Sequence, residues 1–518
     1  MRYADSLPEA LYSADSVRAM DRYLIDERGI DGFDLMQAAA RAGFRQLRKH
    51  WPSPKSVLVL CGAGNNGGDG YLIAANAQRV GIFVECVAVA PSGKLTGDAL
   101  KALEVAKAEG VPVTEISDLP KDGLHAKLAA SDVVVDAMLG TGVTGAPRTP
   151  FSEAIHAVNQ AQRAVMAVDL PSGLNATTGA GEGDVVHAEL TVTFIGAKTG
   201  LYTGLGPAVC GHVVYESLAT EAQMQGCQEQ AAAQLNVWSD CKAWFPVRPL
   251  NAHKGDFGRV LVVAGERGFG GAAIMAAEAA SRSGAGLVSL ATRPEHVTPA
   301  LVRCPNVMVH GVIHGSELAP LIEQADVVVC GPGIGKSAWG QQMLQQVIDS
   351  AKPRVLDADA LNLMATRVAV PVSNHVLTPH PGEAARLLGC SVAEIEADRL
   401  AATAKIQRIW GGVVLLKGAG TIVATDSEVP VVIAGGNPGM ATGGMGDILS
   451  GILGAFIGQL GDIRNATIAA ASAHLAAANR ATERLGYMGL VPTDVIESLP
   501  FVLKETEVNG LRNDREEE

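Results

Sequence analysis

The feature of this chain that most restricts its fold is an alternation of short apolar runs with helical stretches. In the first half, runs such as Val57–Leu60 are almost continuously apolar, which predicts strands buried on both faces. Because parallel strands need a crossover between them, the alternation predicts a doubly wound parallel sheet in an α/β fold. The predicted strands are Val57–Leu60, Phe83–Val89, Val133–Asp136 and Val165–Asp169, and the predicted helices are Ser13–Arg28, Asp34–His50, Tyr71–Val80 and Asp98–Ala108.

A second α/β series follows a change in composition. At 518 residues the chain is too long for one ordinary core. Around Thr220–Leu235 the composition shifts to Gln, Ala and Glu, which indicates a linker or a short bridging helix. The second series has predicted strands at Val260–Ala264, Leu287–Leu290, Val327–Cys330, Val355–Leu356 and Val413–Leu416. We therefore expect two domains, 1–225 and 237–505, a linker at 226–236, and a solvated, mobile tail at 506–518.

Charge and cysteine usage disfavour several classes of protein. The chain has 41 Lys and Arg against 54 Asp and Glu, a formal charge of −13, which argues against nucleic acid as a partner. Its eight cysteines form no Cys-x-x-Cys pair, so we expect buried, reduced thiols and no zinc site. We see neither a secretory signal nor a membrane-spanning apolar run, so we expect a cytoplasmic protein without a membrane partner.

A glycine-rich turn in the second half leads directly into an apolar helix. Glycines 443, 444 and 446 leave backbone N–H groups unobstructed at the predicted helix N-terminus, and such amides attract phosphates. Asp447 lies in the same turn, where it can take a proton from a hydroxyl group. The alternative is that Asp447 only caps the helix. The predicted core face consists of Ile448, Leu449, Ile452, Leu453, Phe456, Ile457 and Leu460.

A glycine loop in the first half resembles a dinucleotide-binding fingerprint. Residues Gly62–Gly70 follow a predicted strand and precede a helix, and Gly62, Gly64 and Gly67 have the required spacing. The acidic residue expected at the end of the next strand is absent, since Glu85 lies inside that strand and Pro91 follows it. We therefore disfavour an NAD-dependent dehydrogenase.

Polar groups lie at the carboxyl ends of the predicted strands, the edge at which open α/β sheets bind ligands. Oxygen atoms of Asn66, Asp136 and Ser172 can gather around a cation such as potassium, and Asp169 ends the fourth strand. The loop Gly140–Gly145 can approach phosphates closely. The alternative is that Asp136 and Asp169 only form turns. Two such residues beside two glycine loops favour a site.

Three further motifs lie in the second half. The segment Gly331–Ser337 is not a P-loop, because three residues rather than four separate Gly331 from Gly335. A lone histidine such as His380 usually packs in a core or caps a helix, but its proline-flanked turn favours contact with a ligand. The segment Lys417–Thr421 links two predicted strands with small residues, where a nucleotide can press against backbone.

Three motifs of the first half, Asn65–Gly70, Val135–Gly142 and Asp169–Gly173, resemble the NAD(P)H-hydrate epimerase family. The resemblance implies that Asn66, Asp136 and Ser172 hold potassium. It also implies that Asp169 is the acid/base group that interconverts the C6 epimers of hydrated NADH or NADPH. The implied substrate-binding residues are Asn65, Asn66, Gly67, Gly68, Asp69, Gly140, Thr141, Gly142, Val143, Thr144, Gly145, Ala146 and Asp169.

Four motifs of the second half resemble the ADP-dependent NAD(P)H-hydrate dehydratases of the ribokinase-like superfamily: Lys254–Gly258, Gly331–Gly335, Thr378–Glu383 and Asn437–Gly451. The resemblance implies phosphoryl transfer from ADP to the hydroxyl of the hydrate, with Asp447 taking the proton. Magnesium would offset the donor charge, with Glu383 as a candidate to position it. The residues implied to contact the hydrate are Ala272, Gly335, His380 and Asp447, and those implied to contact the nucleotide are Lys417, Gly418, Ala419, Gly420, Thr421 and Gly446.

Together the two resemblances span nearly the whole chain. The chain therefore resembles the family of bifunctional NAD(P)H-hydrate repair enzymes. We expect small-molecule substrates and a homo-oligomer whose size the sequence leaves open. One alternative is a small-molecule kinase for a vitamin-like alcohol. Another is that the first half is a non-catalytic binding module. The residues alone do not distinguish ADP from ATP, or NADH from NADPH.

Overall fold

The structure is a computed structural model that describes residues 9–142 and 145–516, with side chains described through residue 506. The chain divides into two compact units between Leu235 and Asn236. Within the described ranges, no helix is both long and apolar enough to span a membrane. All eight cysteines are free, and six of them are buried, as predicted.

The first unit is built around a parallel β-sheet with helices on both faces. Its strands are β1 (Ala10–Tyr12), β2 (Ser56–Cys61), β3 (Phe83–Ala88), β4 (Val113–Glu115), β5 (Val133–Ala137), β6 (Ala164–Val168), β7 (Leu190–Phe194), β8 (Ala197–Lys198), β9 (His212–Glu216) and β10 (Ala233–Asn236). Its helices are α1 (Ala14–Arg22), which continues as a π-helical turn, α2 (Gly32–His50), α3 (Asn65–Arg79), α4 (Gly97–Ala108), α5 (Gly123–Ala130), α6 (Phe151–Ala161), α7 (Gly206–Val209) and α8 (Glu221–Met224).

The main sheet has the strand order β4-β3-β2-β5-β6-β7-β9, and every neighbouring pair is parallel. Val57 and Val59 pack against α2, α3 and α4, whereas Leu58 and Leu60 pack against α5 and α6. Burial on both faces explains why these strands are almost continuously apolar. The predicted doubly wound sheet is confirmed. The strand order reverses between β2 and β5, the position where such sheets bind ligands.

The segment that the sequence predicts to be a linker ends in a strand. β10 pairs antiparallel with β1, which also pairs parallel with β8. Ala233 and Leu235 are buried while Gln234 between them is exposed, the alternation of a half-buried strand. The glutamine-rich composition conceals this strand, because its partner lies more than 200 residues earlier in the chain. The short helix expected in this region is α8.

The second unit is also an open α/β sheet. Its strands are β11 (Arg259–Val263), β12 (Leu287–Thr292), β13 (Met308–Gly311), β14 (Val327–Cys330), β15 (Arg354–Leu356), β16 (His375–Leu377), β17 (Val413–Leu416), β18 (Ile422–Ala424) and β19 (Val431–Ile433). Its helices are α9 (Trp238–Cys241), α10 (Gly270–Arg282), α11 (Val297–Arg303), α12 (Ala319–Gln324), α13 (Ala338–Asp349), α14 (Asp359–Met364), α15 (Pro381–Leu388), α16 (Val392–Ala397), α17 (Arg399–Trp410), α18 (Met445–Leu460), α19 (Ile463–Leu485) and α20 (Pro492–Glu516).

The strands of this unit run in the order β13-β12-β11-β14-β15-β16-β17-β18-β19. They are parallel from β13 to β17, and the last two pairings are antiparallel. The predicted core face of α18 is confirmed, since only Leu460 among its seven residues is not fully buried. α20 continues to Glu516, so the segment that the sequence predicts to be a mobile tail is helical through that residue.

Helices α10 and α18 approach closely at a glycine. A Cβ atom on Gly451 would lie 2.1 Å from the carbonyl oxygen of Ala276 and 3.0 Å from Cβ of Ala279. Because backbone cannot retreat as a flexible side chain does, any larger residue would push the two helices apart. Gly451 therefore fixes the distance at which α18 packs.

We expect Gly451→Ala to lower the free energy of unfolding of the second unit by about 1–3 kcal/mol, the usual cost of overpacking. Urea denaturation followed by circular dichroism measures this change. Gly271→Ala is the matched control, because it lies on α10 with nothing within 4 Å of the added Cβ. A stability of Gly451→Ala equal to that of the control would contradict the packing argument.

Candidate active sites

The predicted potassium ligands of the first unit come together at the carboxyl ends of β5 and β6. Asp136 is fully buried, and its two carboxylate oxygens accept hydrogen bonds from Ser172 Oγ at 2.6 Å and Ser172 N at 2.8 Å. Burial raises the pKa of Asp136 to about 6, although the bonds from Ser172 oppose this shift. A nearby cation would stabilise the ionised form of such a buried carboxylate.

Asn66 is connected to Ser172 by hydrogen bonds through the backbone of Leu139. Its Nδ2 donates to the carbonyl oxygen of Leu139 at 3.0 Å, and the Leu139 N–H donates to Ser172 Oγ at 2.9 Å. Asn66 Oδ1 is buried and has no hydrogen-bond partner among the described residues. A buried, unpartnered oxygen is costly unless something positive meets it. The three residues therefore fit a potassium ion.

The two glycine loops of this unit touch each other. A Cβ atom on Gly62 would lie 1.9 Å from the carbonyl oxygen of Met138, and one on Gly140 would lie 3.2 Å from Cβ of Asn66. Only glycine permits this approach. The two predicted binding segments, 65–69 and 140–146, thus share one edge of the sheet, except that Val143 and Thr144 lie outside the described residues.

A shallow pocket opens beside these loops. Gly140, Gly145, Leu170 and Glu182 are among the residues that line it. The carbonyl oxygen of Thr141, next to Gly140, accepts a hydrogen bond from Arg18 at 2.7 Å. Asn65 and Gly142 are exposed, and Asp69 is half-buried. Of the predicted substrate-binding residues, Gly140 and Gly145 line this pocket.

Asp169 follows β6 and has a backbone φ of +69°, which is uncommon for a residue other than glycine. One of its carboxylate oxygens accepts a hydrogen bond from Lys198 Nζ and, at 3.3 Å each, from Thr193 Oγ1 and Phe194 N. Sequence reasoning missed Lys198. Its only signal is a lone lysine in the short strand β8, between Gly196 and Gly200.

In the second unit, three adjacent strands end in polar residues that contact one another. Asp357 follows β15 and is 1% exposed. It accepts hydrogen bonds from Thr378 Oγ1 at 2.8 Å, from Lys417 Nζ at 2.7 Å and from Ser450 Oγ at 2.9 Å. Thr378 follows β16, Lys417 follows β17 and Ser450 belongs to α18. Asp357 thus joins the sheet edge to the helix that carries Asp447, a role that the sequence did not predict.

The glycine turn before α18 is open, and Asp447 does not cap the helix. The cap position is Gly444, with a φ of +98°, and no side chain in the described part of the chain caps this end. Residues 441–443 are exposed. A Cβ atom on Gly446 would lie 3.2 Å from Lys417 Nζ and 3.4 Å from Asp357 Oδ2. An ammonium group therefore lies beside uncapped amides at the helix N-terminus, an arrangement suited to an anion.

The environment of Asp447 gives its carboxyl group an increased proton affinity. Burial raises its pKa to about 7, helped by the negative charges of Asp357, Asp359 and Glu383 and opposed by Lys417. A pKa near neutrality suits a general base, because the group is available to accept a proton and holds it firmly once transferred. Such a shift in a cleft marks a candidate functional residue.

His380 caps α15, the commoner of the roles considered for it. Its Nδ1 accepts from the Gly382 N–H at 2.9 Å, and Glu383 accepts from the His380 N–H at 2.9 Å. Its side chain is 50% exposed, and Nε2 lies 3.5 Å from Glu383 Oε1. The cap therefore leaves part of the ring exposed.

Gly335 and Ala272 lie in or against the loop that follows β14. The Gly335 N–H donates to Asp359 Oδ2 at 3.1 Å. In the same loop, a Cβ atom on Gly333 would lie 3.3 Å from Cβ of Ala272, in the first turn of α10. The loop is held by Glu266, whose carboxylate binds Arg293 and Ser337 and keeps a pKa of about 2 despite its burial. Glu266 is a second residue that sequence reasoning missed.

The predicted nucleotide-binding segment forms an open turn between β17 and β18. Thr421 Oγ1 donates to the carbonyl oxygen of Gly418 at 2.8 Å, and Gly418 and Ala419 are exposed. Beneath the turn, the buried guanidinium of Arg399 donates to the carbonyl oxygen of Lys417 at 3.0 Å. Gly420 is buried, and its N–H donates to the carbonyl oxygen of Gly435 at 2.9 Å. The turn thus exposes backbone groups that a ligand can contact, and hydrogen bonds from Arg399 and to Gly435 hold it in place.

The part of each unit that the structure describes has no preformed cluster of acidic, histidine and cysteine side chains for a metal ion. Across residues 9–142 and 145–516, no group of three or more His, Cys, Asp or Glu side chains is arranged to hold a metal ion. Glu383, the candidate to position magnesium, is 5% exposed and already accepts a hydrogen bond from His380. It does not fit a direct magnesium ligand.

Two open α/β sheets, each with glycine turns and buried acids at its carboxyl edge, define the chain as a two-domain enzyme that handles nucleotides. A family model for the YjeF-related protein N-terminus matches residues 32–200, and one for NAD(P)H-hydrate dehydratase matches residues 260–501. The chain belongs to the family of bifunctional NAD(P)H-hydrate repair enzymes, as the sequence motifs predict.

Two relatives illustrate the match. The bifunctional NAD(P)H-hydrate repair enzyme of Coxiella burnetii is 42% identical and is aligned over 94% of this chain and 98% of its own. The one of Escherichia coli is 43% identical, over 96% and 95%. A crystal structure of the ADP/ATP-dependent NAD(P)H-hydrate dehydratase of Bacillus subtilis, co-crystallised with ATP and Mg²⁺, is 29% identical with a TM-score of 0.49, covering 52% of this chain and 98% of that one.

Proposed function

We propose that the second unit dehydrates hydrated NADH and NADPH at the expense of a nucleotide, and that Asp447 is its general base. The observation that carries this proposal is the open N-terminus of α18, where a carboxyl group with a pKa of about 7 adjoins uncapped amides and the Lys417 ammonium. This arrangement supplies both requirements of phosphoryl transfer to a hydroxyl group, an anion cradle and a proton acceptor.

The reaction follows from the chemistry of the hydrate. Hydroxide is a poor leaving group, so the ring hydroxyl first accepts a phosphoryl group while Asp447 takes its proton. The N–H groups of the first turn of α18 and Lys417 stabilise the charge of the group in transfer. The C6–O bond then breaks and phosphate leaves with its electron pair, while loss of a proton from the neighbouring ring carbon forms the C=C bond that restores the dihydronicotinamide. With ADP as donor the other product is AMP.

The donor nucleotide occupies the turn Lys417–Thr421 and reaches Gly446. The hydrate lies on the opposite side of the cleft, against Ala272, Gly335 and His380. Magnesium, which keeps few protein ligands, would offset the charge of the donor phosphates. We assign the donor as ADP from the resemblance of the motifs.

The assay that tests this function follows the absorbance of reduced nicotinamide after hydrated NADH is mixed with the protein, magnesium and either ADP or ATP. We expect the absorbance to return with one of the nucleotides and inorganic phosphate to be released in equal amount. A stable phosphate ester without recovery of the chromophore would instead identify a small-molecule kinase.

The first unit is proposed to interconvert the two C6 epimers of the hydrate, so that the second unit can repair both. Asn66, Asp136 and Ser172 would hold potassium, which supplies fixed positive charge at the sheet edge. The glycine loops hold the dinucleotide, and Asp169 is the carboxylate that acts on the epimers. The support is the shared sheet edge, the buried unpartnered oxygen of Asn66 and the adjacent cavity.

We expect Asp169→Ala to slow epimer exchange by about 100-fold, because general acid–base groups usually contribute at least that much. Epimer exchange is measured by chromatography of a single hydrate epimer incubated without nucleotide. The variant should still dehydrate the preferred epimer at the wild-type rate, since Asp447 lies in the other unit. Loss of dehydration together with retained exchange would contradict this division of labour.

A further inference from the structure

Arg386, an exposed residue in the last turn of α15, is held by a side chain of a neighbouring helix. Its Nε donates to Asn362 Oδ1 in α14 at 2.7 Å. Asn362 Nδ2 in turn donates to Asp359 Oδ1 at 3.3 Å, and Asp359 Oδ2 accepts from the Gly335 N–H at 3.1 Å. A chain of hydrogen bonds therefore connects this guanidinium to the loop that follows β14.

The guanidinium also lies close to His380, which caps the other end of α15. A Cβ atom on Gly382 would lie 2.7 Å from His380 Cε1 and 3.8 Å from Arg386 Nη1, so both side chains flank the same bare stretch of backbone. Residues 382 and 386 are four apart, which places them on one face of the helix. Arg386 is thus linked by contacts to both Gly335 and His380, which the motifs assign to the hydrate.

Most of this guanidinium is available to a ligand. Across the described ranges Arg386 forms no ion pair, and only its Nε–H has a protein acceptor, whereas an arginine has five N–H donors. Burial lowers the pKa of His380, and the charges of Lys417 and Arg386 add to this effect while Glu383 opposes it. His380 is therefore uncharged near neutral pH, and Arg386 is the charged member of the pair.

The substrate proposed for the second unit needs such a charge. Every hydrated dinucleotide carries a pyrophosphate, and hydrated NADPH carries a 2′-phosphate as well. The surroundings of Asp447 are mainly acidic, because Asp357, Asp359 and Glu383 all act on its carboxyl group. A polyanion is repelled there unless a cation meets its phosphates, and the planar fork of a guanidinium matches phosphate oxygens.

We propose that Arg386 binds a phosphate group of the hydrate and that Asn362 fixes the position of its guanidinium. This inference rests on the proposed dehydratase function of the second unit. The phosphates of the hydrate take no part in the reaction at its ring, so the contact is the same in the substrate and in the transition state. Such uniform binding lowers KM and leaves kcat unchanged.

An arginine in the last turn of a helix also interacts favourably with the helix dipole. Arg408 occupies the same place in α17 and is exposed, and its guanidinium has no hydrogen-bond partner in the described part of the chain. The helix dipole therefore does not require the hydrogen bond that Asn362 provides to Arg386. Arg408 supplies a matched control for the charge and for its place in a helix.

The first test is Arg386→Gln in the full-length chain, assayed by recovery of reduced nicotinamide with saturating nucleotide and magnesium. We expect KM for the hydrate to rise about 10- to 100-fold, the usual effect of losing a charge-assisted hydrogen bond. The kcat and the KM for the nucleotide should stay at their wild-type values, and Arg408→Gln should match the wild type throughout. An unchanged KM for the hydrate, or a rise in the KM for the nucleotide instead, would overturn the inference.

The two sources of phosphate are separated by measuring hydrated NADH and hydrated NADPH in parallel. An equal rise in KM for both substrates identifies the pyrophosphate as the group bound by Arg386. A rise confined to hydrated NADPH identifies the 2′-phosphate. A rise for neither substrate excludes both groups and overturns the inference.

The second test uses charge screening. Added sodium chloride should raise KM for the hydrate more steeply in the wild type than in Arg386→Gln, because the variant lacks the charge that salt screens. Arg386→Lys keeps the charge but loses the planar fork, so it should recover part of the affinity. Equal salt dependence in the wild type and in Arg386→Gln would show that this charge does not act on the substrate and would overturn the inference.

The outcomes separate the inference from the function on which it rests. Thermal unfolding reports whether each variant is folded. A folded, active enzyme whose KM for the hydrate does not depend on Arg386 would overturn the inference alone. A wild-type chain that restores no NADH with either ADP or ATP would overturn the dehydratase function and the inference with it.

Discussion

Replacing Asp447 by alanine is expected to reduce nucleotide-dependent recovery of NADH from its hydrate by about 1,000-fold. The variant loses the proton acceptor for the ring hydroxyl, and such groups contribute roughly 100- to 10,000-fold. The glycine turn and Lys417 remain, so binding of nucleotide should persist. The measurement is the rate at which the absorbance of reduced nicotinamide returns with saturating nucleotide and magnesium.

The same residue predicts the pH dependence of the wild-type enzyme. Because burial and neighbouring carboxylates raise the pKa of Asp447 to about 7, the group is a base above that value and is protonated below it. We therefore expect kcat/KM for dehydration to fall as the pH drops through about 7, with an acid limb that corresponds to one proton.

Two controls make the experiment decisive. Asp426→Ala removes an exposed carboxylate on the loop between β18 and β19 and should dehydrate normally. Epimer exchange by Asp447→Ala should equal that of the wild type, because the first unit is unchanged. Near-normal dehydration by Asp447→Ala would exclude it as the base and would leave the open turn without a chemical role.

Local pattern was sufficient to predict most of the central strands of both sheets and the glycine turns. The strand Val133–Asp136 and the core face of α18 follow from the spacing of apolar residues, which depends only on near neighbours. The open turn before Asp447 follows from glycines, whose conformational freedom is a property of the residue itself. These features can therefore be predicted from a single sequence.

The residues that contact the candidate catalytic side chains could not be predicted from local spacing. Lys198 contacts Asp169 across 29 residues, and Asp357 contacts Ser450 across 93. Such pairs are created by the order of strands in the sheet, which brings distant strand ends to one edge. Nothing in the local spacing marks Asp357 as the buried partner of Lys417. The same reason explains why β10 was taken for a linker.

The ion pair between Lys417 and Asp357 leads to the second large effect. Lys417 lies 2.7 Å from Asp357 and 3.7 Å from Glu383, and its ammonium adjoins the first turn of α18. As a cation beside the proposed phosphoryl cradle, it would stabilise the charge that develops during transfer, and removing one such group usually costs about 100- to 1,000-fold. Lys417→Met should therefore lower kcat for dehydration by that factor.

The pH profile separates this electrostatic role from a purely structural one. Lys417 lowers the pKa of Asp447 whereas Asp357 raises it, so the acid limb should move to higher pH in Lys417→Met and to lower pH in Asp357→Asn. The double variant removes both charges, which avoids leaving a buried carboxylate unpaired, and its limb should lie between those of the single variants. Limbs that move together, or not at all, would show that neither charge acts on Asp447. Opposite shifts in variants that differ by one buried charge each are the result expected when both groups act electrostatically on the Asp447 carboxyl group.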